Sequence, residues 1–264
     1  MTIHVALFGV SGRMGKALLA AMRDQPDLRL SGALASPSSK TLGCDAGELA
    51  GGDRLGVAVT ADRNAALAGA HIVIDFTLAT SIPGTLHACA AHGCPLVLGT
   101  TGLSPASTAQ LRECAAQIPI VYSPNMSIGV NVMMRLVQSA AGTLGLDFDI
   151  DVLDVHHRSK IDAPSGTALK LGEIAATARG QDFARAAVMQ PREGPRLRGD
   201  IVFTSVREGD QVGEHRVTFS GAGETLSVAH RASDRAIYAR GALHAARWLI
   251  GRRPGLYSMS DIIL

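Results

Sequence analysis

The sequence predicts an α/β protein with two domains. The first is a doubly wound parallel sheet, and the second is an α+β domain with a mixed or antiparallel sheet. Up to about residue 126, short apolar runs alternate with helical patterns, which is typical of a parallel sheet covered on both faces. Over residues 201–232, strand patterns follow one another without helices between them, which indicates an antiparallel or mixed sheet.

The elements of the first domain follow from their local patterns. Strands are predicted where β-branched and apolar residues run continuously, and helices where apolar residues recur at helical spacing. Pro83 and the pair Ser104-Pro105 mark helix starts, because proline is tolerated in a first turn and serine is a good N-cap. The predicted strands cover residues 3–8, 28–34, 57–59, 71–76, 96–98 and 118–122, and the predicted helices cover residues 13–22, 65–67, 81–92 and a segment from Ser104 onward.

The second domain begins with a predicted helix over residues 129–144. Residues 148–155 mix acidic with apolar residues and are predicted as a strand, as are 201–206, 212–219 and 225–232, with glycine-containing turns between the later strands. Residues 181–199 are expected to form a long exposed loop. Ser233 is expected to cap a final helix that runs to residue 250.

Composition narrows the class of protein. Of 264 residues, 47% are hydrophobic and the formal net charge is +2, so the chain is globular and lacks the basic excess of a nucleic-acid-binding protein. We predict neither a signal peptide nor a membrane span, and therefore a soluble cytoplasmic protein without membrane partners. The four cysteines form no CxxC pair and have no histidine at ligand spacing, so we expect free thiols and no metal site.

A glycine-rich turn follows the first predicted strand. It reads Gly9-Val10-Ser11-Gly12-Arg13-Met14-Gly15 and opens the first helix. Gly9 permits a sharp turn, Gly12 lets backbone N–H groups approach a pyrophosphate, and Gly15 lets helix and sheet pack closely. The start of a helix also favours phosphate. The alternative is a purely structural turn, but the position after a strand favours a Rossmann-like dinucleotide site.

The end of the second strand bears on cofactor choice. A carboxylate there would hold the ribose of NAD, but the strand ends in Leu34-Ala35-Ser36. Ser38, Ser39 and Lys40 follow, and hydroxyl groups with cations suit a 2′-phosphate better. The sequence therefore favours NADPH and leaves NADH open.

Two further loops are expected at the same edge of the sheet. Gly99-Thr100-Thr101-Gly102 and Ser123-Pro124-Asn125-Met126 each follow a predicted strand. Ligands of open parallel sheets bind beyond the carboxyl ends of the strands. We therefore expect both loops to contact the nicotinamide half of the cofactor, with a plain loop role as the alternative.

Residues 154–168 contain the highest density of side chains that can bind anions or supply protons. His156, His157, Arg158 and Lys160 form a cation cluster that can bind carboxylates and supply protons. The segment Pro164-Ser165-Gly166-Thr167 then opens a helix, where N–H groups and the Thr167 hydroxyl can hold a carboxylate. The alternative is a solvated basic loop before an ordinary capped helix.

This block resembles the signature of the dihydrodipicolinate reductase family, E-x-H-H-x-x-K-x-D-x-P-S-G-T-A. Asp154 is the departure, because the family usually has Glu there. The opening glycine turn, the segment 75–77, the two loops above, residues 125–131, 209–215 and 255–259 resemble other family motifs in the same order. The resemblance covers essentially the whole chain.

The resemblance implies a function and a set of roles. It implies reduction by NADPH or NADH of a small cyclic imine that carries two carboxylates, a step of lysine and diaminopimelate biosynthesis. His156 and Lys160 match proton donors, and His157, Gly166 and Thr167 match residues that hold the substrate carboxylates. The matching dinucleotide contacts are Gly9, Val10, Ser11, Gly12, Arg13, Met14, Gly99, Thr100, Thr101, Ser123, Pro124, Asn125 and Met126.

The resemblance also implies an assembly and a domain division. The family is homotetrameric through sheets of the second domain, and its C-terminal helix returns to the nucleotide domain. We therefore place the dinucleotide-binding domain at residues 1–126 with 236–264, and the substrate-binding and oligomerisation domain at 127–235.

Three other functions compete with this prediction. The first is another two-domain dehydrogenase, such as an acylating semialdehyde enzyme, which would need a nucleophilic cysteine. The second is a dinucleotide-sensing regulator, which would not need His156, Lys160 and Thr167. The third is a hydrolase that uses Ser165, although Ser165 suits the start of a helix better.

Overall fold

The computed structural model describes residues 2–190 and 193–263. The chain forms two compact units: residues up to Ile128 together with those from Ala236 onward, and Gly129–Arg235. Across the described residues, the first unit contains a seven-stranded sheet and the second a five-stranded sheet. The predicted α/β class is confirmed.

The bounds of the elements are as follows. The strands are β1 (Ile3–Phe8), β2 (Leu28–Leu34), β3 (Val59–Thr60), β4 (Ile72–Asp75), β5 (Leu96–Leu98), β6 (Pro119–Tyr122), β7 (Asp149–His156), β8 (Ala187–Val188), β9 (Ile201–Arg207), β10 (Gly213–Gly221), β11 (Glu224–Ala232) and β12 (Gly255–Tyr257). The α-helices are α1 (Arg13–Met22), α2 (Arg63–Leu67), α3 (Ile82–Ala91), α4 (Pro105–Ala115), α5 (Ile128–Leu144), α6 (Gly166–Ala178), α7 (Phe183–Ala186), α8 (Ala236–Leu249) and α9 (Met259–Ile262).

The sheet of the first unit is parallel and covered on both faces. Its strand order is β12-β6-β5-β4-β1-β2-β3, and neighbouring strands among the described residues pair in parallel. Alternate residues of β1 enter different cores: Leu7 packs in the cluster that holds Leu18 of α1 and Leu243 of α8, whereas Phe8 packs in the cluster that holds Leu86 of α3. A continuous apolar strand is required because both faces are buried.

The sheet of the second unit is mixed. Its order is β11-β10-β7-β9-β8, in which β10 is antiparallel to β7 and β11, and β9 is parallel to β7 and β8. One face packs on α5 and α6, where Val137 and Leu171 meet Ile150 and Val217. The opposite face carries residues that are partly or fully exposed, among them Leu153, Val202, Arg216 and Thr218.

Several local predictions were wrong in detail. The final long helix begins at Ala236, so Ser233 is not the residue immediately before it. The third strand is Val59–Thr60. The segment predicted as one loop contains α7 and β8, because Asp182 caps α7 and β8 pairs with β9, a tertiary contact that local sequence does not encode. Pro191 and Arg192 of that segment lie outside the described residues.

Among the described residues, none of the helices is long and apolar enough to cross a membrane.

Candidate active site

The glycine turn of the first unit joins β1 to α1 as predicted. Gly9 has a φ of +83°, which favours glycine. A Cβ on Gly15 would lie 2.4 Å from the carbonyl oxygen of Gly9, so close packing of helix and turn requires glycine there too. Within the described residues no side chain caps the start of α1 after Gly12. Its first N–H groups are therefore available to an anion.

The other predicted cofactor loops lie at the same edge of this sheet. They follow β5 and β6, which are close to β1 in the strand order, and carboxyl ends of parallel strands share one edge. The Thr100 hydroxyl donates to the Thr77 carbonyl over 3.1 Å, and Ser123 Oγ donates to the Asn125 carbonyl over 2.8 Å.

Two residues with apolar side chains in the predicted cofactor turn and loops are buried in the protein core, and so is Ala35 at the end of β2. Val10 and Met126 are 0% and 1% exposed, so only their backbone atoms could contact a dinucleotide. Ala35, at the end of β2, is also buried, whereas Ser36 and Ser38 are exposed and their hydroxyl groups lie 2.9 Å apart. The exposed hydroxyl groups that follow β2 are therefore those of Ser36 and Ser38.

In the second unit, residues 154–168 run from β7 through a loop to the start of α6. Asp154 is 0% exposed and accepts hydrogen bonds on both carboxylate oxygens. Ser165 donates from Oγ to Oδ1 (2.7 Å) and from its backbone N to Oδ2 (2.9 Å), and Arg207 Nη2 donates to Oδ2 (2.8 Å). His156 Nδ1 and His215 Nε2 lie 3.0 and 3.3 Å from Oδ1.

These contacts set the charge of Asp154. Burial disfavours a carboxylate, but the contacts from His156, His215, Ser165 and Arg207 outweigh burial and hold the pKa of Asp154 well below its usual range. Asp154 is therefore a buried anion at neutral pH.

Asp154, His156 and His215 also bring potential metal-ligand atoms within 4.8 Å of one another. The carboxylate already accepts hydrogen bonds on both oxygens, and the Arg207 guanidinium is one of its donors. A divalent cation would therefore bind next to a fixed positive charge. The cluster is better described as a hydrogen-bonded ion network.

Ser165, Asp154 and His215 also resemble the components of a hydrolytic triad. Ser165 is 3% exposed, however, and its hydroxyl donates directly to Asp154. The same oxygen accepts from the N–H of Ala168 over 3.2 Å and caps α6. Ser165 therefore serves as a helix cap, and the hydrolase alternative loses its nucleophile.

Of the three predicted substrate residues, His157 lines a cleft beside the loop, whereas Gly166 and Thr167 are not among the residues that line it. His157 Nδ1 lies 2.8 Å from Ser159 Oγ, and Arg235 Nη2 lies 3.5 Å from His157 Nε2. Gly166 and Thr167 form the first turn of α6, with Gly166 exposed. The cleft is lined by His157, Arg158, Ser159, Gly209, Asp210 and Arg235.

Lys160 forms an ion pair with Asp162. Its Nζ lies 2.7 and 2.8 Å from the two carboxylate oxygens, and this contact with Lys160 lowers the pKa of Asp162. The lysine is thus held on the loop by a partly exposed carboxylate.

Three of the four cysteines argue against the acylating alternative, whereas Cys44 is exposed. Cys89, Cys94 and Cys114 are buried, and burial raises the pKa of Cys94 to about 12. Such thiols are poor sources of a thiolate nucleophile.

Two family profiles match the chain. "Dihydrodipicolinate reductase, N-terminus" matches residues 3–126, and "Dihydrodipicolinate reductase, C-terminus" matches residues 129–263. The chain belongs to the dihydrodipicolinate reductase family.

Relatives of this dihydrodipicolinate reductase family member match along their whole length. The chain is 47% identical over 265 residues to a 4-hydroxy-tetrahydrodipicolinate reductase of Alkalilimnicola ehrlichii, with 100% of this chain and 99% of the relative covered. It is 47% identical over 266 residues to the protein of that name from Thiobacillus denitrificans, with the same shares covered.

Solved structures agree on the fold. The dipicolinate-bound dihydrodipicolinate reductase from Paenisporosarcina sp. TG-14 has a TM-score of 0.82 and 22% identity, covering 99% of this chain and 100% of that one. An amine dehydrogenase from Mycobacterium smegmatis has a TM-score of 0.70 and 16% identity, covering 98% and 96%.

The structure adds residues that sequence reasoning did not assign to the site. Arg207 is the register partner of His156 in the parallel pair of β7 and β9, and His215 and Arg235 come from later parts of the chain. A cation at the end of a predicted strand was the available signal for Arg207, but strand order was needed to bring it to Asp154.

Proposed function

We propose that this chain reduces 4-hydroxy-tetrahydrodipicolinate to tetrahydrodipicolinate with NADPH or NADH, in lysine and diaminopimelate biosynthesis. The observation that carries the proposal is the block of residues 154–168. It matches the family signature, and it combines a cation cluster with an uncrowded helix start at Gly166. The full-length relatives named for this reaction support the same conclusion.

The first unit fits a dinucleotide cofactor. The turn at residues 9–15 needs glycine for its backbone path and for close packing, and the start of α1 offers N–H groups to phosphate. The contacts we assign are the turn from Gly9 to Met14, the loop from Gly99 to Thr101 and the loop from Ser123 to Met126. When bound, the cofactor supplies the hydride.

The second unit would manage the charge of the substrate. His157 and the N–H groups and hydroxyl of Gly166 and Thr167 would hold its carboxylates, since a helix start and a cation both favour an anion. Lys160 or His156 would supply the proton that accompanies reduction. The hydroxyl group of the substrate leaves as water.

Location and assembly are part of the proposal. We assign the chain to the cytoplasm, in keeping with its free cysteines. We also assign a homotetramer formed through the sheet face that carries Leu153 and Val202, which the helices of the second unit leave uncovered. Light scattering should give about four times the chain mass of 27.4 kDa, and a monomer mass would contradict the assembly.

A coupled assay tests the reaction. Aspartate semialdehyde and pyruvate are supplied with the preceding synthase, and the loss of NADPH or NADH absorbance is followed after this chain is added. Cofactor oxidation that depends on both the synthase and this chain is expected. Absence of turnover by the folded chain would contradict the proposed function.

Lys160→Ala tests the proton donor. We expect kcat to fall by about 10²–10⁴-fold, the usual range for a positioned acid, with dinucleotide affinity unchanged. Lys170→Ala is the matched control, because Lys170 is an exposed lysine of the same unit that is paired with Glu173. A folded Lys160→Ala variant with more than about half the wild-type kcat would remove Lys160 from this role, given that range.

A further inference from the structure

Three groups with proposed roles in the second unit meet at one carboxylate. Asp154 contacts His156 directly, the start of α6 through Ser165, and the lysine loop through Arg207. This inference rests on the proposed function and asks how the proton donors and the carboxylate-binding helix start are held in a fixed relation.

The ring of His156 is confined on several sides. The residue is 8% exposed. Its Nδ1 lies 3.0 Å from Asp154 Oδ1, and its ring meets that of His215 edge-on with centroids 5.1 Å apart. A Cβ on Gly213 would lie only 2.8 Å from Nε2 and 3.1 Å from Cδ2. Gly213 therefore leaves the space that the Nε2 edge of the ring occupies.

Contact with a buried carboxylate also selects the state of the imidazole. The anion favours a proton on Nδ1. In the neutral ring Nε2 is then an acceptor, and in the imidazolium Nε2 carries the proton that can be donated. The contact with Asp154 thus sets which nitrogen of His156 faces Gly213 and is available for proton exchange.

Arg207 links Asp154 to the loop that carries Lys160. Its Nη2 donates both to Asp154 Oδ2 (2.8 Å) and to the carbonyl oxygen of Asp162 (2.6 Å). The side chain of Asp162 in turn pairs with the ammonium of Lys160. The loop that carries Lys160 is therefore tied to the end of β7 by a single guanidinium.

Ser165 links Asp154 to the start of α6. Its backbone N and its hydroxyl both donate to Asp154, while its hydroxyl caps the N–H of Ala168. The N–H groups of the next two residues, Gly166 and Thr167, begin the helix. Their direction is consequently set by a residue that is bonded to Asp154.

We propose that Asp154 is a positioning residue for the reaction: it orients His156 against Gly213, holds the start of α6 through Ser165, and holds the lysine loop through Arg207. It need not touch the substrate to do this. Loss of these contacts should therefore impair turnover and substrate binding in a folded variant as well as lower the stability of the fold.

The test measures kcat, substrate KM and dinucleotide affinity for Asp154→Asn. We expect kcat to fall by about 10-fold to 100-fold, the scale of a misplaced reacting group. Substrate KM should rise, because the start of α6 is held through Ser165. Dinucleotide affinity should stay within about twofold because the nucleotide unit is untouched.

Asp154→Glu gives the rescue test. It keeps a carboxylate that can accept from Ser165 and Arg207, so it should restore most of the lost kcat. Asp147→Asn, which removes an exposed aspartate paired with Arg198 in the same unit, should leave kcat and substrate KM unchanged.

Gly213→Ala gives an independent test in case Asp154→Asn does not fold. The added Cβ must displace the His156 ring but removes no charge, so we expect kcat to fall by about 10-fold or more while dinucleotide affinity is kept. A folded Gly213→Ala variant with wild-type kcat would overturn the proposal. So would a folded Asp154→Asn variant with wild-type kcat and substrate KM. A folded Asp154→Glu variant that restores stability but none of the lost kcat would also overturn it, since contacts that hold the donors in place should restore the two together.

The outcomes separate this inference from the proposed function. If the wild-type chain fails to reduce the substrate in the coupled assay, the proposed function fails. If the wild type is active and the variants at positions 154 and 213 behave like it, only the role of Asp154 fails.

Discussion

Each unit contains a fully buried aspartate at or near the end of a central strand, and the two are held differently. Asp75 is the last residue of β4, and Asp154 is the third residue from the end of β7; both are 0% exposed. Asp75 accepts hydrogen bonds from neutral groups only in the described part of the chain: the Thr77 N–H (2.6 Å) and the hydroxyl groups of Thr85 (2.8 Å) and Thr100 (3.4 Å). Asp154 has a guanidinium and two imidazoles around it.

The pKa values move in opposite directions as a result. Burial raises the pKa of Asp75, because hydrogen bonds from threonine groups do not fully replace water around a carboxylate. For Asp154 the contacts from histidine, serine and arginine overcome burial and lower the pKa. Equal burial therefore says little about ionisation; the charge of the donors decides it.

The difference matches the chemistry proposed for each unit. The first unit surrounds an anionic cofactor site with backbone N–H groups and hydroxyls, and its buried aspartate links the loops at residues 77 and 100 without a fixed counter-ion. In the proposed function, the second unit would use formal charges to bind carboxylates and move a proton, and its aspartate is an anion at neutral pH.

Asp154→Asn should have the largest effect on stability. Asp154→Asn leaves the guanidinium of Arg207 without its buried carboxylate partner, and breaking a buried ion pair typically costs about 3–5 kcal/mol. We expect that loss in the free energy of unfolding, measured by circular dichroism in urea, and faster hydrogen exchange in β7 and β10 but not in β4. The exposed pair of Asp147 and Arg198 supplies the control, since Asp147→Asn should cost less than about 1 kcal/mol.

Low pH should reduce the difference in stability between wild type and Asp154→Asn. A carboxylate whose folded pKa is depressed stabilises the fold above its unfolded pKa and loses that contribution as pH falls. The stability gap should therefore be full at pH 6 to 7 and shrink below about pH 5. A gap that stays constant down to pH 3 would contradict an ionised Asp154.

Ser36→Asp should have an intermediate effect, and it should act on cofactor preference. It adds a negative charge beside the proposed cofactor site. A carboxylate at this exposed position would accept from ribose hydroxyls and repel a 2′-phosphate. We expect the ratio of kcat/KM for NADH over NADPH to rise by about 10-fold, equivalent to about 1.4 kcal/mol. Gln110→Glu, an exposed change of equal charge on α4, should leave the ratio unchanged, and no shift in Ser36→Asp would separate Ser36 from the ribose.

Asp75→Asn should have the smallest effect. A group whose folded pKa is raised is most stabilising when protonated, so its contribution falls as pH rises above the unfolded value. An amide resembles the protonated acid and can donate to a threonine hydroxyl, so we expect a change within about 1 kcal/mol. Relative to wild type, the variant should be more stable at pH 7 than at pH 4; the opposite order would show that Asp75 is stabilised as an anion.

Sequence alone predicted the elements whose cause is local. The bounds of β1, α1 and β2 agree with the prediction, because an apolar run ends at Gly9 and an amphipathic run follows it. β8 was missed because two residues become a strand only by pairing with β9.

The candidate site also has a part that could be predicted from sequence and a part that could not. The glycine turn and the block of residues 154–168 are continuous in sequence and could be singled out there. The ion network could not, because Arg207 is 53 residues away from Asp154 in sequence and His215 lies further on. Only the strand order, with β7 between β10 and β9, brings these side chains to one carboxylate.

The return of the chain to the first unit has a consequence for biosynthesis. α8 contributes Ala242, Leu243 and Leu249 to the core that also contains Leu7, and β12 adds the edge strand beside β6. During translation these segments emerge after the whole second unit, which is continuous in sequence and can fold first. The nascent first unit must therefore wait with one apolar face of its sheet incomplete, a state in which aggregation competes with folding. The core that contains β1 is thus closed by α8, which is synthesised only after the whole second unit.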